Sequence, residues 1–483
     1  MSEQQQETTT IPTTTSTTDG TTVGSTTTTI SSSELVNEQN DKKRKNKFNN
    51  NNNNNKKNKK QNNKQQNSNK ERDDEDADFD VSGEDLMIED ESTLVHSSFP
   101  FVISFSYNGI PFNGLQIQNG ENLVKHPHLL TIEAVLLDIL YGSNGESDFE
   151  QDETIIRYTK SKNCKDIRLQ RACRTDRGVS AVRNAFACVM TLPNTQNHKD
   201  TFKFNNEELC KTLNDRINNH VRIKNLNLMD QIKIFNIQRV PSRFVLHHWC
   251  QFRRYLYVLP LSALDLSSRN IITKCNNIFN LETNEQKCQK LNELLGHFEG
   301  IHLFHNFTVD AKPGSDSSRR HVKTLKIIEQ NLEGDLPHVV IEISGRSFML
   351  HQIRMMIGTV IALMRGMAPN MNTTVQDNTI VNDFFENLFK AQTEVLLPMA
   401  PSEGLFLDNL DFPNFNANIV KPPFEPIKWT GTADEHAEIF KKDVILPNIL
   451  KVLKEKNVVS NWLIDIHCNK AKYFAKLANK KKR

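Results

Sequence analysis

The chain changes character near residue 97, and that break decides how much of it can fold. Residues 1–96 are low in complexity. They are Ser/Thr-rich to about Ser33, then run through Lys42-Lys43-Arg44-Lys45, the asparagine run Asn49–Asn55 and more Lys/Asn/Gln. The acidic stretch Glu71–Asp80 follows, with further acids to Glu91. Such sequence cannot bury enough apolar surface to offset its chain entropy, so it reads as a disordered tail. The tail is also why hydrophobic residues make up only 37% of the 483, a low share for a soluble globular chain. It holds 12 Lys+Arg against 18 Asp+Glu, whereas the other 387 residues hold 48 against 40. A net of +2 therefore hides an acidic tail of −6 on a basic body of +8. A basic body suits a polyanionic partner without identifying one.

Several classes fall away. No run of 18 apolar residues is present, so no membrane-spanning helix is expected. The chain does not open on a positive region followed by an apolar block, so no secretory signal is expected. The eight cysteines (164, 173, 188, 210, 250, 275, 288, 468) are scattered and form no Cys-x-x-Cys pair, which speaks against a zinc ribbon and for free thiols in a reducing compartment. The basic run at 42–45, and Lys480-Lys481-Lys482-Arg483 at the other end, read as nuclear localisation signals. The absence of early arginines, with Glu3 and Glu7, weakens a mitochondrial transit peptide; mitochondrion and cytoplasm stay open beside the nucleus.

Folded sequence starts near Phe99. Phe101–Tyr107 has the composition of a strand and leads into a Gly/Asn/Pro turn at Asn108–Gly114. Ile132, Val135, Leu136 and Ile139 recur at helical spacing, with Thr131 to cap and Gly142 to stop. Asn184–Leu192 fits a buried strand, Leu209, Leu213 and Ile217 a second amphipathic helix, and Arg254–Leu259 a strand ending at Pro260. His338–Ser344 reads as another strand and Phe348–Arg365 as another helix; 264–297 and 366–396 read as helical or irregular insertions. Strands interleaved with helices, with hairpins available, predict an α+β fold with helices layered over a sheet.

Three segments could carry chemistry. In Arg171-Ala172-Cys173-Arg174-Thr175-Asp176-Arg177-Gly178-Val179-Ser180-Ala181 one carboxylate stands between two arginines beside a glycine. A plain Asx-turn with two surface ion pairs would look the same. Alternatively, flanking cations favour the charged form of a carboxylate, and an ionised carboxylate can act as nucleophile or base. In Gly345–Gly358, Ile353 and Ile357 continue to Val360 and Met364 as a core stripe, while His351, Arg354 and Gly358 share a neighbouring face. An arginine on so apolar a helix needs a partner, since burying it unpaired is costly. Any carboxylate would serve as a structural partner; Asp176 would make the pair a functional one. Gly358 would admit another element closely. In Arg253-Arg254-Tyr255-Leu256-Tyr257, strand alternation puts both tyrosines on one face. That is ordinary sheet packing, or an aromatic platform for a nucleobase with arginines reaching phosphates.

Taken together, in this order and spacing, these segments resemble the TruA-type tRNA pseudouridine synthases. The shared patterns are Arg-Thr-Asp-x-Gly-Val-x-Ala at 174–181, Arg-x-Tyr-x-Tyr at 253–257 and Phe-x-x-His-x-x-Arg at 348–354. The eukaryotic tRNA pseudouridine synthase 1-like branch is the nearer likeness, through Gly300–Thr308, Ser347–Arg354, and Ala400-Pro401 followed by Gly404-Leu405. Tyr107, Gly109, Gly114 and Gln116 resemble the family's opening strand and turn. The likeness spans about 99–465. Position 177 is Arg where that branch often has Lys, and Gly300-Ile301-His302-Leu303 departs from the usual Gly-Thr-His-Asn.

The resemblance implies two pseudo-twofold-related α+β halves whose sheets join into one mostly antiparallel surface, with RNA in a basic cleft between them. On this reading 1–96 is the tail, 97–263 and 264–412 are the two halves, and 413–483 is a helical extension with a basic end. It implies that Asp176 is the catalytic carboxylate, Arg354 its ion-pair partner and Tyr255 the residue that stacks on the target base. Arg174, Arg177, Arg253 and His351 would contact the RNA. The substrate would be uridine in tRNA, with small nuclear RNA and messenger RNA as further candidates. No cofactor or metal is called for. The eukaryotic branch is more often monomeric.

Overall fold

The computed structural model describes residues 96–117, 129–141, 169–193, 205–266, 277–309, 311–367, 378–418, 420–421, 423–469 and 471–475. The tail up to residue 95, its basic run, Gly142 and the C-terminal Lys480–Arg483 lie outside the described residues.

The described strands are β1 (His96–Tyr107), β2 (Gln170–Arg171), β3 (Ser180–Pro193), β4 (Ile232–Arg239), β5 (Phe252–Pro260), β6 (Gly300–Leu303), β7 (Arg319–Asn331), β8 (His338–Gly345) and β9 (Leu405–Asp411). They join into one sheet in the order β4-β1-β3-β9-β5-β8-β7-β6, with β2 also on β3. Every pairing is antiparallel except β3 with β9, where Ser180 and Ala181 lie parallel to Phe406 and Leu407. That short parallel seam joins two antiparallel blocks, β4-β1-β3 and β9-β5-β8-β7-β6. β5, which the sequence groups with 97–263, bonds to β8 and β9 from 264–412.

β1 is buried along both faces, from Phe101, Val102 and Ile103 to Ser104 and Ser106, which is why it reads as an apolar run rather than an alternation. The helix Ile132–Tyr141 buries Ile132, Val135, Leu136 and Ile139, and Thr131 Oγ1 accepts from Ala134 N at 3.3 Å as the cap expected of it. The helix Asn206–Asn219 buries Leu213 and Ile217. It also seals the edge strand: Ile237 N donates to Asn206 Oδ1 at 2.8 Å and Ile234 N to Asn214 Oδ1 at 2.8 Å, leaving fewer open backbone groups on β4. Within 264–297 the helix Asn284–Gly296 starts from a Thr283/Gln286 capping box; within 366–396 lies the helix Asn378–Phe389. The extension after 412 is helical, with Thr432–Phe440, Leu446–Glu455 and Val458–Cys468. The six described cysteines, 173, 188, 210, 250, 288 and 468, are free.

One boundary differs from the sequence expectation in a way that shapes the site. The helix expected over 348–365 spans Gln352–Met364, because His351 takes a left-handed backbone (φ 65°, ψ 0°) that no α-helix continues through. The stripe Ile353, Ile357, Val360 and Met364 is buried as expected.

Candidate active site

Asp176 sits in the loop between β2 and β3, just before the parallel seam. Its carbonyl accepts from Val179 N at 3.1 Å, closing a turn in which Gly178 holds φ +83°, a value that a side chain with a Cβ rarely adopts. The opening turn after β1 braces the same loop. Leu115 N donates to Thr175 O at 3.2 Å, and Gly109 N to Ser180 Oγ at 2.9 Å. Beneath it lies a buried chain: Tyr107 Oη with Thr175 Oγ1 at 2.7 Å, and Asn184 Nδ2 donating to Tyr107 Oη at 3.3 Å and to Cys173 O at 3.1 Å. Burial pushes the Tyr107 phenol up in spite of the Thr175 and Asn184 hydrogen bonds, so it stays protonated and structural. These supports are invisible in the sequence as a group, although alternation along β1 does place Tyr107 on the Phe105 face.

Arg354 arrives from the other block. It lies in the first turn of the helix Gln352–Met364, where Gly358 lets the 398–400 segment approach; a Cβ there would stand 2.3 Å from Pro398 O. Ala400 N donates to Arg354 O at 2.9 Å, and Arg354 Nε donates to Ala400 O at 2.8 Å. The guanidinium is thereby held so that Nη1 meets Asp176 Oδ2 at 3.2 Å. The two side chains are 22% (Asp176) and 13% (Arg354) exposed, shielded enough for the pair to be strong and open enough for Asp176 to meet a ligand. His351 Nε2 stands 3.6 Å from the same Oδ2.

Tyr255 is carried by β5 next to the seam, its Cα partnered with Leu407 of β9. It is 6% exposed, meets Phe348 edge-on with ring centroids 5.6 Å apart, and its hydroxyl lies 2.7 Å from Cys173 Sγ. Burial pushes its phenol well above 10, with Cys173 adding to the effect, so the ring is neutral at physiological pH. Burial likewise raises the Cys173 thiol against the pull of Arg253. Tyr257 shares the face but is buried, its hydroxyl donating to Pro401 O at 3.0 Å.

The four residues expected to contact RNA differ in their surroundings. Arg174 and Arg177 are exposed on the Asp176 loop. Arg253 instead ties the loop down: Nη2 donates to Ala172 O at 2.9 Å, and Nη1 to Cys250 O at 2.8 Å and Arg346 O at 2.6 Å. His351 faces Asp176. The Gly300–Thr308 segment lies elsewhere in the fold. Asn306 donates to Leu388 O at 2.7 Å and accepts from Val395 N at 3.0 Å, and His305 Nε2 reaches Thr393 O at 2.7 Å. That segment is a staple for the helix Asn378–Phe389.

Sequence reasoning passed over the opposite face of the sheet. Arg183 and Asn184, like Arg254 and Tyr255, point to opposite faces. On the far face Asp408, fully buried, accepts from Arg254 Nε at 2.7 Å and Lys441 Nζ at 2.7 Å. Arg183 pairs with Asp434 at 2.5 Å and Glu438 at 2.7 Å. Asp434, Glu438 and Lys441 thus fasten the extension to β3 and β9 under the seam. Asp408 falls at a bulge, since Arg254 pairs with Asn409 but Tyr255 with Leu407. A carboxylate interrupting Leu405–Leu410 was the only signal available.

A carboxylate gripped by an arginine from a distant helix thus stands with a neutral tyrosine at the seam of a bipartite sheet. Among the described residues no group of three His, Cys, Asp or Glu could hold a metal ion. Residues 295–413, which contain β6–β9 and Arg354, match the sequence model of a family described as tRNA pseudouridine synthase. Mouse and human proteins named pseudouridylate synthase 1 homolog are each 26% identical, over 363 and 365 residues; the matches span 75% of this chain and 72% and 71% of theirs. A tRNA pseudouridine synthase 1 of Candida albicans is 25% identical across 74% of this chain and 64% of its own. The chain is thus similar to the TruA-type tRNA pseudouridine synthases, isomerases that act on tRNA.

Proposed function

We propose that the chain converts specific uridines of tRNA to pseudouridine with Asp176 as the reacting carboxylate. The observation that carries this is the Asp176–Arg354 contact at 3.2 Å, made across 178 positions of sequence by the two motifs whose residue types the chemistry needs. The target uridine leaves its stack, at a cost of about a few kcal/mol, and enters beside Asp176. The N1–C1′ bond breaks, the uracil turns, C5 bonds to C1′, and the C5 proton leaves as N1 gains one. Asp176 either attacks C1′ or takes the C2′ proton to give a glycal; in both the reacting group is the carboxylate that Arg354 holds by a charge-assisted hydrogen bond. Tyr255, only 6% exposed, is the aromatic side chain that meets the uracil in this reading. Its proton stays on the phenol, so it serves as a wall and hydrogen-bonding group, not as a phenolate base.

Arg174 and Arg177, exposed beside Asp176, are the phosphate contacts in this reading, with the RNA in the cleft between the two blocks; Arg253 is engaged by backbone carbonyls. Small nuclear and messenger RNAs are further substrates, a nuclear site of action follows from the basic runs, and a monomer suffices because both halves of the site come from one chain. The test is a map of pseudouridine in unmodified tRNA transcripts by carbodiimide adduct and primer extension. Wild type should give stops at discrete uridines and Asp176→Asn none. Tight tRNA binding by wild type without any stop would refute the reading.

A further inference from the structure

We infer that His351 is a positioning residue for Asp176, sharing one carboxylate oxygen with Arg354 so that the other stays free for the substrate. The inference rests on the reading of Asp176 as the reacting carboxylate. His351 Nε2 lies 3.6 Å and Arg354 Nη1 3.2 Å from the same Oδ2. Among the described residues Oδ1 takes no hydrogen bond. The separation at His351 is longer than a hydrogen bond, as such contacts often are before the substrate closes the site.

The backbone shows that this placement is built. His351 is a non-glycine residue at φ 65°, a conformation that persists only where its surroundings impose it and that gathers at functional sites. The turn before the helix imposes it. Met349 N donates to Gln352 Oε1 at 2.8 Å, Gln352 N to Met349 O at 3.1 Å, and Gln352 is fully buried. His351 gives its carbonyl to Met355 N at 3.0 Å but makes no side-chain cap to the helix, so the imidazole is not there to start the helix. Its Nδ1 is buried and meets no hydrogen-bond partner among the described residues. A positioned histidine usually has its second nitrogen anchored from behind. Here the left-handed backbone does that work, and with no acceptor at Nδ1 the tautomer that serves Asp176 carries its proton on Nε2. A plain RNA contact, the role the sequence likeness implies, would need no such strain.

The test compares wild type, His351→Gly, His351→Gln and Asp176→Asn. It reads the single-turnover rate on a tRNA transcript at saturating enzyme, and tRNA affinity by filter binding. Glycine takes the left-handed backbone freely, so that variant keeps the fold and loses only the imidazole; its thermal midpoint should not fall below wild type. Glutamine returns an N–H near the position of Nε2. The expected result is a rate about 10- to 100-fold lower for His351→Gly, unchanged affinity, and recovery of most of the rate in His351→Gln. A wild-type rate in His351→Gly, or a glutamine variant as slow as the glycine one, overturns the proposal. So does a loss of tRNA affinity with the saturated rate unchanged, which would make His351 an RNA contact. If Asp176→Asn keeps the wild-type rate, the reading beneath fails and the proposal goes with it; if Asp176→Asn is inactive and His351→Gly is not slowed, the proposal alone fails.

Discussion

Arg354 does two jobs with one guanidinium. Nε is committed to Ala400 O at 2.8 Å and Nη1 to Asp176 at 3.2 Å. Lysine has one donor centre and cannot satisfy both. Arg354→Lys should therefore keep tRNA binding and lose about 100-fold in the single-turnover rate, the scale expected when a reacting group moves by about 1 Å. A lysine variant with wild-type turnover would show that charge alone matters. At this scale the contact between Asp176 and Arg354 was legible, because an arginine on so apolar a helix calls for a carboxylate partner and Asp176 was one candidate. What could not be read were the other partners across the fold. The run Arg253-Arg254-Tyr255 shows two cations on a strand, but not that one ties down backbone carbonyls and the other meets a buried aspartate.

The elements that bring these residues together depend on a few close fits. Gly358 faces Pro398 O, where a Cβ would stand at 2.3 Å. Gly358→Ala should push the 398–400 segment away, cost about 1–3 kcal/mol as overpacking does, and slow turnover by dragging Arg354 with it; thermal denaturation and single-turnover kinetics read the two effects. On the other face, burial alone would raise the Asp408 carboxyl, but Lys441 and Arg254, with their hydrogen bonds, outweigh it and hold it below the usual carboxylate range. Removing a partner from a buried pair costs about 3–5 kcal/mol. Asp408→Ala should lie near the lower figure, because Arg254 is 44% exposed and can rehydrate. The sign of the pH dependence follows. A depressed folded value means the stabilisation is present at neutral pH and lost as the pH falls through that value, so the gap between wild type and Asp408→Ala in urea denaturation should narrow below about pH 4. A gap that widened in acid would contradict the pairing. Helices with a clear apolar stripe were readable from sequence, as were strands buried on both faces. β9 was not, because Asp408 and Asn409 break its apolar run, and β4 and β7 were not, because exposed charges interrupt theirs. The helix Gln352–Met364 was read one turn too long, since nothing in Phe348–His351 announces a left-handed histidine.

For the whole molecule, what sets the site is strand order. The parallel pairing of Ser180-Ala181 with Phe406-Leu407 puts the Asp176 loop beside Tyr255 and within reach of the Arg354 helix, although these residues are far apart in sequence. An α+β fold was legible from interleaved periodicities. The seam was not, because pairing between strands more than 200 positions apart leaves no local mark. The charge division does have a consequence at this scale. With +8 on residues 97–483 and −6 on 1–96, a chain beginning at Val95 should keep its turnover and bind tRNA at least as tightly, with a steep fall in affinity as salt rises. Loss of turnover in that truncation would place part of the machinery in the tail.

The account turns on Asp176 breaking and remaking the glycosidic bond of a uridine. Tritium release from [5-³H]uridine-labelled tRNA reports that event, because pseudouridine formation replaces the C5–H. Wild type should release label to water, and Asp176→Asn should release none while still binding the tRNA. Equal release by the two proteins would show that another group does the chemistry, and the assignment of Asp176 would have to be withdrawn.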